Sequence, residues 1–305
     1  MSDLLGENVD CEKSSENSCS AVRMRLEPKD KDLGGFSVRR LLPSREQPSV
    51  GPFIFFDHLG PALFAPGTGI DVRPHPHIGL ATVTYVFAGE VLHRDSLGKV
   101  QHIRPNEINW MTAGKGIAHS ERTPPDIRKQ GHTLHALQLW LALPEEDEQT
   151  KPGFSHYGSD DLPLIEESSR TIRVMIGEAY GAKAAVKTFS STLYVEAQLK
   201  AGQRIVVPEH IEERAVYVVT GEVSAQECLI PQHTMAVLDE TPGLELVAKE
   251  DTTLVIIGGA PLGKRIMWWN LVSTREDLME KARQDWREGR FPKVPGETEY
   301  IPLPE

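Results

Sequence analysis

One short string occurs twice at a fixed distance, and it constrains this 305-residue chain more than any other feature. Tyr85-Val86-x-x-Gly89-Glu90-Val91 returns 132 residues later as Tyr217-Val218-x-x-Gly221-Glu222-Val223. Each copy reads as a β-branched and aromatic strand ending at a Gly turn, and self-similarity at this period predicts a duplicated β domain. The surrounding chain agrees. From Val22 to Leu143 it offers short runs such as FSVRRLL, FIFF, ATVTYVF, VQHIR and LHALQLWLAL, separated by Gly, Pro, Asp and Asn. The same pattern resumes from Thr171 to Gly259. The fold class expected is all-β.

Boundaries follow from changes in composition. Residues 1–20 are rich in Ser, Glu and Asn without a period, and are expected to form a disordered polar leader. Residues 21–143 form the first β domain, and the acidic stretch 144–169, with Pro152, Gly153 and Pro163, reads as a linker. Residues 170–262 form the second domain. In the extension 263–305, Ser273 and Glu276 have capping-box spacing and Gly289 with Pro292 supplies a stop, so a helix is expected over about 274–288.

Charge and hydropathy exclude several classes of function. With 33 basic and 44 acidic residues the formal charge is −11, which opposes binding to phosphate backbones and anionic lipid surfaces. No direct nucleic-acid or membrane partner is expected. Apolar runs fall far short of the roughly 20 residues that span a bilayer. The N-terminus has neither the basic nor the apolar region of a secretory signal, so a cytoplasmic location is expected. Cys11, Cys19 and Cys228 contain no CxxC pair and are expected to be reduced, unpaired thiols.

The chemistry resides in two histidine motifs, His75-Pro76-His77 and His119-Ser120-Glu121. On a strand, residues i and i+2 point to the same face, so each pair aims two ligand atoms at one point. Two such strands across a barrel make a site of three imidazoles and one carboxylate. That donor set suits Fe(II), Mn, Ni, Cu, Co or Zn, and leaves two cis positions open on an octahedral ion. An open site implies catalysis rather than bracing.

The segments RPHPHIGLATVTYVFAGEVLHRDSLG and WMTAGKGIAHSE resemble the pirin family of the cupin superfamily. The likeness extends along nearly the whole chain after the leader, through FDHLGP, LHALQLWLALP and the terminal helix. It implies a bicupin of two jelly-roll β-barrels with a C-terminal helix. It also implies that His75, His77, His119 and Glu121 hold one divalent metal, commonly Fe(II). Many pirins carry a Glu at the position of Ala81, and its absence here is expected to make the pocket less polar.

The resemblance further implies quercetin 2,3-dioxygenase activity, in which O2 opens a flavonol ring and carbon monoxide leaves, with Glu121 as the catalytic base. The alternative it implies is a metal-containing regulatory protein whose redox state alters binding to a protein partner. Shifting His75 and His77 by the repeat distance gives Val207 and Glu209, so the second domain is expected to bind no metal. His210 falls out of phase and is expected to be structural or solvated. His93 and Asp95 read equally well as supports for a ligand or as a surface turn. Structural roles are expected for His58, near the pocket mouth, and for His132, His135 and Gln138. Trp268, Trp269 and Trp286 are expected to pack the terminal helix onto a sheet.

Overall fold

A computed structural model describes residues 20–32 and 35–304, so most of the expected leader, with Cys11 and Cys19, lies outside the described residues. The duplication is visible in strand order. In the first repeat a seven-stranded sheet runs Gly153–Tyr157, Ile108–Thr112, Leu80–Ala88, His132–Ala142, Phe53–Phe64, Ser37–Leu42 and Lys29–Asp32. A four-stranded sheet runs Asp71–His77, Ile117–Arg122, Val91–Asp95 and Val100–Ile103. The second repeat has the same plan. Its seven-stranded sheet runs Val22–Leu26, Met235–Leu238, Glu213–Thr220, Thr252–Gly259, Thr192–Leu199, Arg170–Ile176 and Leu164–Glu167. Its four-stranded sheet runs Arg204–Val206, Glu245–Ala248, Val223–Ala225 and Cys228–Ile230. The protein is therefore an all-β bicupin of two barrels, as the sequence implies.

The repeated string explains how the barrels meet. Along Leu80–Ala88, Ala81, Val83 and Tyr85 join a core shared with Tyr194, Ala215, Tyr217, Val255 and Ile257 of the second repeat. Thr84 on the opposite face points into the first barrel. The two tyrosines make reciprocal contacts. Tyr85 Oη donates to Glu196 Oε2 of the second repeat at 2.5 Å, while Tyr217 Oη lies 2.6 Å from His58 Nδ1 of the first. Both rings are fully buried, and burial of each large side chain contributes about 1.5–3 kcal/mol.

The glycines that end each copy share a backbone requirement. Gly89 has φ +87° and Gly221 φ +82°, a region that side chains disfavour. A Cβ on Gly89 would also lie 2.2 Å from the Thr133 carbonyl oxygen. Gly89→Ala is expected to cost about 2–4 kcal/mol, combining a strained backbone with overpacking. Urea unfolding reads this as a lower midpoint at unchanged slope, and an unaltered midpoint would contradict it.

Four details differ from the sequence reading. Val22–Leu26 belongs by pairing to the second repeat, because it covers the otherwise open edge of Met235–Leu238. Within the acidic stretch, Gly153–Tyr157 adds to the first sheet and Leu164–Glu167 to the second. The terminal helix spans Glu276–Arg287 and buries Met279, Ala282 and Trp286, but no capping box forms. Ser273 Oγ is drawn instead to the buried Glu148 carboxylate at 2.8 Å and accepts the Arg275 N–H. Cys228 is disulfide-bonded, which corrects its reading as a free thiol. Among the described residues, no helix is long and apolar enough to cross a membrane.

Candidate metal centre

The two motifs occupy neighbouring antiparallel strands. Asp71–His77 is the edge strand of the small sheet, where Pro74 and Pro76 sacrifice no needed ladder bond. His75 pairs in register with His119, and His77 with Ile117. Between His119 and Glu121 the register slips, so that Glu121 opposes Val72. Such a bulge bends the strand and re-aims the side chains beside it.

The three imidazoles converge. Donor nitrogens of His75, His77 and His119 all lie within 4.8 Å of one another, and among the described residues this is the one such group of metal-ligating side chains. His75 Nδ1–H donates to the Arg73 carbonyl at 2.9 Å, and His77 Nδ1–H to the Asn270 carbonyl at 3.0 Å. Each Nε2 is therefore left with a lone pair. His77 Nε2 stands 3.1 Å from His119 Nε2. Burial, aided by repulsion among the rings, holds His77 and His119 neutral far below the ordinary histidine range. Burial also lowers His75 to about 4. Neutral, buried imidazoles whose lone pairs face one another fit a cation between them, so these residues can hold one metal ion.

Glu121 lines the same cavity but stands outside that tight cluster. Its carboxyl is raised above the usual range, because burial outweighs the opposing effects of His93 and of Thr84. Thr84 Oγ1 lies 3.2 Å from Glu121 Oε1 and 2.9 Å from Gln138 Oε1. Gln138, expected to be structural, thus faces the cavity. Ala81 does not, since it belongs to the core between the barrels, and the expectation that this position sets pocket polarity is corrected.

The cavity has a volume of about 370 Å³, and its walls set flat aromatic rings beside charged and polar side chains such as Arg40, Asp57 and Gln138. Phe55 stacks on Trp140 at 3.9 Å between centroids, and Trp140 presents an edge to His77. The Arg40 guanidinium lies 4.4 Å from the Phe55 ring and pairs bidentately with Asp57 at 2.8 Å. The C-terminal extension completes the lining with Trp269, Asn270 and Ile301. Sequence spacing could not reveal this. The outward face of Ile117–Arg122 holds that extension down: Ser120 Oγ donates to Glu297 at 2.8 Å, and Arg122 donates to both Glu297 oxygens. Cavity-lining and latch residues thus alternate along one strand. Trp286 packs the helix as expected, and Trp269 packs against the same cluster while also lining the pocket.

The remaining histidines separate cleanly. His93 and Asp95 are buried behind His119 rather than in a surface turn. His210 is exposed, as expected. The second barrel is filled by Ile205, Val207, Val216, Leu246 and Ile256, whose side chains carry no metal-ligating atom. His58 lies between the barrels rather than at the pocket mouth, with His58 Nε2 2.7 Å from His135 Nε2. Burial, reinforced by His135 and His233, pushes His58 down to about 2. The unfolded chain therefore takes up a proton below pH 6.5 that the folded chain refuses, and stability falls as pH drops toward 2. His58→Asn is expected to lessen the slope of stability against pH between 6.5 and 4 by up to about 1.4 kcal/mol per pH unit. Urea midpoints across that range test it, and parallel profiles would refute it.

Comparison with known proteins agrees with this geometry. Residues 35–141 match the Pirin family model, and residues 194–292 match the Pirin C-terminal cupin domain. A pirin-like protein of Caulobacter vibrioides is 44% identical over 291 residues, covering 93% of this chain and 100% of that protein. Human pirin is 30% identical, covering 84% of this chain and 88% of its own. The crystal structure of a quercetin 2,3-dioxygenase from Acinetobacter baumannii superposes with a TM-score of 0.85 at 32% identity, over 92% of this chain and 95% of that one. With both barrels matched and the relatives covered almost end to end, this chain belongs to the pirin family.

Proposed function

We propose that this chain is a metal-dependent dioxygenase of the quercetin 2,3-dioxygenase type, acting in the cytoplasm on a small aromatic substrate and O2. The observation that carries the reading is the cavity itself: flat aromatic walls lead to three neutral imidazoles and one buried carboxylate. His75, His77, His119 and Glu121 are the proposed ligands, and Fe(II) the proposed ion, with Mn, Ni, Cu, Co and Zn accepted by the same donors. Bound there, a divalent metal supplies a place where an enol oxygen and dioxygen meet and a path for electrons between them.

The protein's own groups do the rest. The Phe55–Trp140 stack and Trp269 bind a planar ring system and exclude water. Glu121, its carboxyl raised by burial, accepts the proton of the flavonol 3-hydroxyl, while Thr84 steadies it. Both atoms of O2 enter the product, the central ring opens, and one ring carbon leaves as carbon monoxide. The test is oxygen consumption with quercetin by protein reconstituted anaerobically with Fe(II), followed by a scan of the other metals. Coupled loss of flavonol and oxygen is the expected result. Stoichiometric metal without turnover would overturn it and favour the second reading, a redox-sensing regulatory protein with a protein partner.

A further inference from the structure

Behind His119 lies a closed chain of hydrogen bonds that reaches away from the cavity. His119 Nδ1 is 3.4 Å from His93 Nδ1, and His93 Nε2 is 3.1 Å from Asp95 Oδ2. Asp95 Oδ1 already accepts the backbone N–H groups of Leu97 at 2.8 Å and Lys99 at 3.1 Å. Asp95 is fully buried and His93 is 3% exposed, so solvent does not redistribute these bonds. Phe154 stacks on the His93 ring at 4.6 Å between centroids and fixes its plane.

Each step then determines the next. A carboxylate only accepts, so Asp95 Oδ2 requires the His93 proton on Nε2. In its neutral form His93 keeps a lone pair on Nδ1, which accepts from Nδ1–H of His119. His119 Nε2 is thereby bare, and it is the atom that faces His77 Nε2. The other two imidazoles have their Nδ1 protons held by backbone carbonyls, which no side-chain substitution readily removes. His119 alone depends on a neighbouring side chain for this.

We propose that Asp95 and His93 are positioning residues that fix the tautomer of His119 and so make it a metal ligand. The inference rests on the metal reading of the site. It yields an ordering that a merely structural role would not. In Asp95→Asn the amide oxygen retains the Leu97 and Lys99 N–H groups, which turns the NH2 toward His93 Nε2. His93 must then carry its proton on Nδ1 and donate to His119 Nδ1, which moves the His119 proton onto Nε2. The near-isosteric variant is thus the damaging one. Asp95→Ala removes the acceptor without supplying a donor and leaves both tautomers accessible.

The experiment is Zn(II) affinity by competition with a fluorescent chelator, for wild type, Asp95→Asn, Asp95→Ala and His93→Ala, with thermal unfolding of each metal-free protein. Asp95→Asn is expected to lose about ten- to hundredfold in affinity and more than either alanine variant. Asp95→Asn binding at least as tightly as Asp95→Ala overturns the inference. Absence of Zn(II) binding by the wild type overturns the metal reading beneath it. Should Asp95→Asn not fold, long-range 1H–15N spectra of metal-free, 15N-histidine-labelled wild type decide. Protons on His93 Nε2 and His119 Nδ1 support the assignment, and the reverse pair overturns it.

Discussion

His119→Ala is expected to abolish both metal retention and flavonol turnover while leaving the bicupin folded. The imidazole is 1% exposed and is the one that touches both the cluster, through Nε2, and the buried His93 behind it. Loss of an outer-shell partner typically costs ten- to hundredfold in metal affinity, so loss of the ligand itself should exceed about hundredfold. The fold should persist because the strand that carries His119 is paired on both sides, with Asp71–His77 and with Val91–Asp95. Its outward face also remains latched to Glu297. Elemental analysis after reconstitution, beside thermal unfolding, separates loss of metal from loss of structure. His210→Ala, at an exposed turn, is the matched control and should change neither. Full metal occupancy in His119→Ala would sink the assignment of the site.

The second large effect is expected from Glu121→Gln. The hydrogen bond that Glu121 accepts comes from the Thr84 hydroxyl, which a carboxamide oxygen can accept equally well, so geometry and cavity shape should change little. What disappears is the capacity to accept a proton. A positioned general base typically contributes about 10²–10⁴ to rate, and kcat for quercetin should fall within that range. Loss of one anionic donor lowers metal affinity, but the three clustered histidines still hold the ion when metal is in excess, so kcat is compared at full occupancy, a condition His119→Ala should not reach. An unchanged kcat would show that Glu121 is not the base, even with the metal intact.

Several features of the site are legible from residue order alone, and each has a local cause. The i, i+2 spacing of His75 with His77 and of His119 with Glu121 is the period of a strand, so same-face presentation follows without tertiary information. The Tyr–Val–x–x–Gly–Glu–Val copies mark equivalent strands because a strand ending at positive φ calls for glycine in both repeats. The repeat distance also sets Val207 at the position that His75 takes in the first copy, and Val207 packs among other hydrocarbon side chains.

Other features are not legible, because strands in this fold are buried on both faces and alternation alone does not say which face meets which neighbour. Alternation puts Ala81 and Thr84, three residues apart, on opposite faces, but only the packing shows that the Ala81 face meets the partner barrel and the Thr84 face the cavity. Trp269 and Ile301 join the lining from almost 200 residues away in sequence, brought there by Arg122 and Ser120 gripping Glu297. His93 and Asp95 read equally as a turn or as supports in the sequence, and the pairing of Val91–Asp95 beside Ile117–Arg122 is what puts them behind His119. Residue order alone sets the duplicated β architecture and the barrel in which His75, His77 and His119 meet, because strand periodicity and glycine turns are local constraints. Tertiary structure alone decided the walls of the cavity, the latch over it and the hydrogen bonds behind it, because those depend on which buried faces come together.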